Sequence, residues 1–287
     1  MKKETAYATA AALRQALEAR LNKQAKEQNL DVMQLRRHAA FDRLLVRIFS
    51  VDQKDLFVLK GGYALELRLH KARTTRDVDI CLNATVRKND PGDLRLKENL
   101  QKAIEKDPGD FFQYTIGEST LDLVNAPYGG NRFPVACRLA SRTFAEFSID
   151  IAAGDVWLTP HETVQGGDWL GFAGIPALSL PVISAEQQFA EKLHSYTLPR
   201  QSINSRAKDL IDMLLLIDKS QLDNSRVKDA VKKTFQRRKT HAIPKTLQNP
   251  PDSWATSFSE MAKETGLQDD LDSAIQKVRK FCAETIK

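Results

Sequence analysis

The sequence predicts an α+β fold: a small mixed sheet flanked by helices, with an N-terminal helical pair and a C-terminal helical domain. Three observations support this prediction. First, the chain opens with two amphipathic helical patterns. Second, the patterns of a strand, a glycine turn, a helix and another strand follow in that order. Third, the residues beyond Pro181 show mainly helical patterns. We therefore expect two domains: residues 1–180, with the N-terminal helices and the sheet, and residues 181–287, the helical domain.

The composition is that of a soluble globular protein. Of 287 residues, 42% are hydrophobic and 28% are charged, and the net charge of +6 permits an acidic partner such as nucleic acid without requiring one. The three cysteines are far apart and show no C-x-x-C spacing, which argues against a zinc or redox site. Charged residues interrupt the Ala-rich start, and no apolar run is long enough to cross a membrane. We expect a cytoplasmic protein without a membrane partner.

Two helices open the chain, because apolar residues recur there at helical spacing. The first covers about residues 5–27, and the second covers "LDVMQLRRHAAFDRLLVRIF". The positions that carry the pattern are Leu13, Leu17 and Leu21 in the first helix and Phe41, Leu45 and Ile48 in the second.

The sheet is predicted from short apolar segments bounded by turn residues. "LFVLKGG" is typical of a buried strand ending in a glycine turn, "YALELRLH" of a helix and "RDVDICL" of a second strand. A helix is expected at about residues 94–106, and further strands at "FQYTIG", "FPVACRLA" and "EFSIDIA". Residues 159–181 contain four glycines and three prolines and are expected to be mostly loop.

The C-terminal part is predicted to be helical. "SAEQQFAEKLHSYT" begins with Ser184 and Gln187 at the spacing of a capping box, and "RAKDLIDMLLLID" is strongly apolar on one side. We expect two more helices after it.

A pair of aspartates stands among the apolar residues of the second predicted strand. Residues two apart on a strand point the same way, so Asp77 and Asp79 present two carboxylates from one face. Two such charges repel unless a cation neutralises them, and Mg²⁺ and Mn²⁺ are the cations that hard oxygen ligands favour. A third carboxylate on a neighbouring strand would complete the site, and we expect it to be Asp150, on the polar face of its strand, with Asp155 as the alternative.

The glycine turn is a second candidate site. Backbone N–H groups of Gly61 and Gly62, at the start of a helix, can bind phosphates, and Lys60 is either a phosphate contact or a charge at the strand end. The alternative is that the two glycines only make a tight turn.

A basic segment near the C-terminal third is a candidate nucleic-acid surface. Between residues 225 and 245 eight basic side chains stand against one acid, Asp229, and Phe235 lies among them as either a base-stacking or a core residue. The alternative is a solvated helix end. The candidate contacts are Lys232, Lys233, Arg237, Arg238 and Lys239.

Several of these motifs, in this order, resemble the AbiEii/AbiGii toxin family, whose members are nucleotidyltransferases of type IV toxin–antitoxin systems and include the MenT enzymes. The resemblance rests on "RLLVRIF", "FVLKGG", "RTTRDVDICL", "FSIDIAAGD", "AEKLHSY", "NSRAKDLIDM" and "TFQRRKT", which span nearly the whole chain. It implies a polymerase-beta-like nucleotidyltransferase core. Many nucleotidyltransferases have Gly-Ser at the turn, where this chain has Gly61-Gly62, so a serine hydroxyl is absent there.

The resemblance also implies roles for single residues. Metal ligands would be Asp77, Asp79 and Asp150, the last either a third ligand or the base for the acceptor hydroxyl. Lys192 would contact the nucleoside triphosphate, with Asp209 and Asp212 as the downstream acidic motif. The nucleotide site as a whole would comprise Lys60, Gly61, Gly62, Thr75, Lys192 and Asp212. The alternative for Lys192 is an exposed lysine on a helix without a functional role. The alternative for Asp209 is a structural salt bridge with Arg206 or Lys208.

The implied function is a toxin that transfers a nucleoside monophosphate from an NTP to the 3′ end of tRNA, with Mg²⁺ or Mn²⁺ as cofactor, and so blocks translation. A cognate antitoxin encoded by a neighbouring gene would be its partner. Three alternatives remain open from the residues: nucleotidylation of a protein side chain, a non-catalytic scaffold that binds nucleic acid or antitoxin, and a metal-dependent nuclease. The five histidines show no metal-ligand spacing, and we expect them to be structural.

Overall fold

A computed structural model describes residues 6–50, 57–70, 72–82, 93–123 and 126–286 of the chain. The chain divides into two compact units. The first comprises Met1–Leu59, Thr74–Gly154 and Thr163–Pro181, and the second Lys60–Arg73, Asp155–Glu162 and Val182–Lys287. The predicted domain boundary near residue 180 stays a prediction.

The described helices and strands follow one another as α1 (Ala10–Gln28), α2 (Val32–Phe49), β1 (Phe57–Lys60), α3 (Gly61–Leu69), β2 (Asp77–Leu82), α4 (Asp93–Ile104), β3 (Gln113–Ile116), β4 (Leu121–Asp122), β5 (Gly130–Leu139), β6 (Arg142–Ala153), β7 (Glu162–Gln165), β8 (Ser179–Val182), α5 (Ala185–Thr197), α6 (Ala207–Lys219), α7 (Asn224–Arg238), α8 (Ala255–Thr265) and α9 (Leu271–Thr285).

The opening helices form as predicted. Thr9 caps α1, its side chain accepting a hydrogen bond from the backbone N–H of Ala12, and the predicted apolar positions of both helices are buried. Residues four apart on a helix share a face, so these side chains form one apolar stripe on each helix.

The strands form one sheet in the order β3-β5-β6-β2-β1-β8-β7, with β4 paired to β5. The sheet is mixed, as predicted: β2 and β6 run parallel side by side, and β5 runs antiparallel to β6. The ring of Phe41 on α2 contacts that of Phe147 on β6, with centroids 4.7 Å apart. Because side chains alternate along a strand, Ser148 and Asp150 point to the face opposite α2.

The second unit has a core of its own, built from helices α5 to α9. Its buried members include Phe189, Leu214, Phe235 and Phe258. The predicted cap of α5 is confirmed: the hydroxyl of Ser184 accepts a hydrogen bond of 3.2 Å from the backbone N–H of Gln187. In the described residues no helix combines the length and apolarity that spanning a bilayer requires.

The segment 159–181 is mostly loop, as predicted, and it also contains β7, a 3₁₀ turn and the start of β8. Two details of the prediction were wrong. Three helices follow α6 rather than two. Helix α3 begins at Gly61 itself and not after the two glycines.

Candidate active site

The predicted carboxylates of the first unit lie in one row across neighbouring strands. Asp79 on β2 is in register with Asp150 on the parallel strand β6, and Asp77 lies two residues before Asp79. Residues in register on adjacent strands share a face, as do residues two apart on one strand. The structure therefore brings Asp77, Asp79 and Asp150, here called the carboxylate row, to one face of the sheet.

Arg132 on β5 is the cation of this row. It is in register with Asp150, and its Nε and Nη2 each lie 2.7 Å from an oxygen of that carboxylate. Nη2 also lies 3.8 Å from an oxygen of Asp77. The hydrogen bonds to Asp150, and then the negative charges of all three aspartates, raise the pKa of Arg132 above its ordinary value. Arg132 is thus a permanent positive charge beside the row.

The donor chemistry of the carboxylate row fits a hard divalent cation, because carboxylate oxygens are the ligands that Mg²⁺ and Mn²⁺ prefer. No group of three or more Asp, Glu, His or Cys side chains in the described part of the chain is already arranged to hold a metal ion. At Asp150, both carboxylate oxygens accept a hydrogen bond from Arg132. The row has the right donors, and in this structure an arginine is hydrogen-bonded to one of them, Asp150.

A second cluster forms in the second unit. The ammonium of Lys192 on α5 lies 3.3 Å from an oxygen of Asp209 and 2.9 Å from one of Asp212, both on α6. Arg73 donates two hydrogen bonds of 2.9 Å to Asp212. We call these four residues the lysine–aspartate cluster. Lys192 is therefore not an exposed helix lysine, and Arg206, 3.9 Å from Asp209, is the more distant partner of that carboxylate.

The protonation states of this cluster follow from its charges. Burial lowers the pKa of Lys192, but Asp212 and Asp209 outweigh burial, and the pKa lies above its ordinary value. Burial likewise raises the pKa of Asp212, but Lys192 and Arg73 outweigh it, and the pKa lies below its ordinary value. At neutral pH Lys192 is therefore a cation and Asp212 an anion.

The glycine turn of the second unit is held by a buried side chain. Gly61 has φ +69°, a conformation that favours glycine, and Gly62 is buried at the start of α3. The side-chain amide of Gln188 donates a hydrogen bond of 2.7 Å to the carbonyl of Gly61. Arg68 donates to the other end of that amide and, at 2.5 Å, to the carbonyl of Ile183. The carbonyl of the turn therefore has a fixed direction.

The side chains of Lys60 and Arg238 both form ion pairs with Asp155. Both donate hydrogen bonds to Asp155, that of Arg238 being 2.9 Å long, and Glu191 lies 3.7 Å from Lys60. Burial raises the pKa of Asp155, but Lys60 and Arg238 outweigh it and bring the pKa to about 2. Asp155, the alternative third carboxylate, is thus an ion-pair partner of these two cations, and Arg238 points inward rather than to solvent.

The other predicted contacts have simple environments. The buried hydroxyl of Thr75 donates to the backbone carbonyl of Asp77 at 3.4 Å. On and just after α7, four of the five predicted basic contacts are exposed, namely Lys232, Lys233, Arg237 and Lys239. Phe235 is a core residue, 4% exposed, with its ring against His194.

Arg132 and Gln188 are among the residues of these sites that were not predicted. Arg132 directly precedes the predicted strand "FPVACRLA", and the sequence does not distinguish it from the other basic residue of that strand. Only its register with Asp150 places it at the carboxylate row. The helical pattern placed Gln188 on α5. Its contact with Gly61 was not predicted, because the two residues are far apart in the sequence. A polar residue on the buried face of an amphipathic helix was the available signal.

One solved structure supports the fold, and a second shows a weaker similarity. MenT4, a nucleotidyltransferase toxin from Mycobacterium tuberculosis H37Rv, is similar with a TM-score of 0.58 and 16% identity, over 94% of this chain and 99% of that chain. JHP933 from Helicobacter pylori is similar with a TM-score of 0.44 and 17% identity, over 86% of this chain and 93% of that chain. No curated protein sequence matches this chain.

The sequence itself identifies the family. The model of the family described as nucleotidyl transferase AbiEii toxin, type IV TA system, matches residues 43–281. This range contains the carboxylate row, the lysine–aspartate cluster and the glycine turn. The chain belongs to the AbiEii family of nucleotidyltransferase toxins of type IV toxin–antitoxin systems.

Proposed function

We propose that this toxin is a metal-dependent enzyme that transfers a nucleoside monophosphate from an NTP to the 3′ end of tRNA and so blocks translation. The observation that carries the proposal is the register of β2 and β6, which puts Asp79 beside Asp150 and Asp77 on the same face. Three carboxylates on one face offer the oxygen donors that a divalent cation prefers.

In this proposal Asp77 and Asp79 hold Mg²⁺ or Mn²⁺, and Asp150 is the third ligand. A bound cation would neutralise charge that develops on the phosphates during transfer. Asp77 is 40% exposed at its side chain, so it is open to solvent, whereas Asp150 is 11% exposed. The alternative role of Asp150, as base for the acceptor hydroxyl, predicts that Asp150→Asn leaves metal affinity unchanged.

Lys192 is proposed to contact the triphosphate. An ammonium group has three donors, one more than the two carboxylates that hold Lys192, and its raised pKa keeps it charged at neutral pH. Asp209 and Asp212 orient it. The backbone N–H groups of Gly61 and Gly62, at the N-terminus of α3, are proposed as further phosphate donors, with Thr75 positioned by its bond to Asp77. We do not extend this role to Lys60, whose ammonium holds Asp155.

The exposed basic residues on and just after α7 support a nucleic-acid acceptor. Lys232, Lys233, Arg237 and Lys239 lie in solvent and can neutralise phosphates of an RNA backbone. A cognate antitoxin encoded by a neighbouring gene and a cytoplasmic location complete the proposal.

A labelling experiment tests the proposal. Purified protein is incubated with Mg²⁺, each labelled NTP in turn, and total tRNA or cell lysate. We expect label in the tRNA band, no label with Asp77→Asn, and full labelling with the control Glu146→Gln, an exposed acid on β6 four residues before Asp150.

Other outcomes identify the alternatives. Label in a protein band would replace tRNA by a protein acceptor. Degradation of tRNA without label would indicate a nuclease. Toxicity and RNA affinity that survive Asp77→Asn, with no label from any NTP, would indicate a scaffold.

A further inference from the structure

We propose that Arg132 is an internal competitor of the divalent cation, which engages Asp150 in the metal-free protein and has to release it before the carboxylate row binds metal. This inference deepens the proposed function and rests on it, because it concerns the same carboxylates.

The geometry of the pair is the first argument. Arg132 and Asp150 are in register on antiparallel strands, and the planar guanidinium meets the carboxylate with two hydrogen bonds of 2.7 Å. Such a fork occupies both oxygens of the carboxylate. A metal ion that takes Asp150 as a ligand needs one of these oxygens, so the two cations compete for the same atoms.

Charge is the second argument. The same guanidinium lies 3.8 Å from Asp77, so one positive charge serves at least two carboxylates of the row. Like charges at such distances repel, so the guanidinium of Arg132 would repel a divalent cation bound at the row. Arg132 therefore stabilises the metal-free row and opposes the metal-bound row.

Exposure is the third argument, and a second ion pair of the same unit provides the comparison. Arg47 and Asp110 form a bidentate pair whose side chains are 1% and 0% exposed, which is a permanent part of the core. The side chain of Arg132 is 34% exposed. Arg132 can leave Asp150 and remain hydrated, whereas Arg47 cannot leave Asp110 without burying a bare charge.

The alternative is a purely structural ion pair between β5 and β6. A structural pair would contribute to stability and would leave the metal affinity of the remaining carboxylates unchanged or weaker. Metal affinity, measured without NTP or acceptor, therefore separates the two roles.

The test uses the full chain and Mn²⁺ alone, with free Mn²⁺ measured by electron paramagnetic resonance. We expect Arg132→Gln to lower the Mn²⁺ Kd about tenfold, the order of magnitude of one hydrogen bond to a charged group. Arg132→Lys keeps the charge but loses the fork, so its Kd should fall by less. The matched control is Arg138→Gln, an exposed arginine on the same strand, with the Kd of the wild type.

Circular dichroism in chelator checks that each variant is folded. If Arg132→Gln does not fold, Arg132→Lys carries the test, and its Kd must fall below that of the wild type. A folded Arg132 variant with unchanged or weaker Mn²⁺ binding overturns this inference and leaves the proposed function standing. Wild-type Mn²⁺ binding no stronger than that of Asp77→Asn overturns both.

Discussion

The ammonium of Lys192 lies 2.9 Å from a carboxylate oxygen of Asp212, a side chain that is fully buried. Arg73 donates two hydrogen bonds to the same carboxylate, so two cations share one buried anion, and Asp209 supplies the second negative charge. The charges of the cluster balance. Loss of either carboxylate leaves a positive charge in the core without its counter-ion.

Asp212→Asn should therefore destabilise the protein strongly, whatever its effect on activity. We expect the free energy of unfolding to fall by about 3–5 kcal/mol, the range for breaking a buried ion pair from one side. Urea unfolding measures it. The matched control is Asp218→Asn on the same helix, whose partner Lys277 is 36% exposed, with an expected loss of at most about 1 kcal/mol. Equal losses for both variants would contradict the argument.

The free energy of unfolding should decrease as the pH is lowered, because of His194. Burial, and then the positive charge of Arg238, lower the pKa of His194 to about 3, and its Nδ1 has no hydrogen-bond partner among the described residues. Between its ordinary pKa and this value the unfolded chain binds a proton that the folded chain does not, so stability decreases as pH falls through this window.

We expect a loss of about 1 kcal/mol between pH 7 and pH 5.5 from this residue. Urea unfolding at both pH values measures it. His194→Gln should remove this part of the pH dependence, while His70→Asn, at an exposed histidine, should retain it. The same pH dependence in wild type and His194→Gln would show that another group is responsible.

Gln188→Met should weaken nucleotide binding more than it weakens the fold. The change keeps the size of the side chain but removes the donor to the carbonyl of Gly61, so the turn loses its fixed direction. We expect the KM for the NTP to rise about tenfold, the equivalent of one hydrogen bond. The control Gln276→Met, at an exposed position of α9, should have the wild-type KM. An unchanged KM for Gln188→Met would remove the turn from the proposed phosphate site.

The double variant Lys232→Gln/Lys239→Gln should bind tRNA with a weaker dependence on salt. Each phosphate contact releases counter-ions, so the slope of log K against log salt concentration should decrease in magnitude by roughly 1 to 2. Binding is measured at several salt concentrations. The control Lys263→Gln/Lys280→Gln changes the net charge equally at exposed positions of α8 and α9. Equal slopes for the two double variants would mean that α7 only contributes charge.

Local patterns predicted the elements that carry the site. Alternation along β2 was enough to put Asp77 and Asp79 on one face, since a strand has a period of two. The cap at Ser184 and the apolar stripe of α6 were likewise local. The partner strand of β2 was not predictable in this way, because the parallel register with β6 depends on packing between segments far apart in the chain.

Arg238 shows how a local pattern misleads. In the sequence it continues a basic run, and it was predicted to contact nucleic acid together with Arg237. Successive residues of a helix differ by about 100° in direction, so neighbours in a basic run face different surroundings. Arg237 is exposed, and Arg238 meets Asp155.

The parallel pairing of β2 with β6 also orders events during synthesis. Asp77 and Asp79 leave the ribosome well before Asp150, and α4, β3, β4 and β5 are made in between. Arg132 emerges before its carboxylate as well. A nascent or truncated chain that ends before β6 therefore has no complete row, so the row assembles only after most of the sheet has been synthesised.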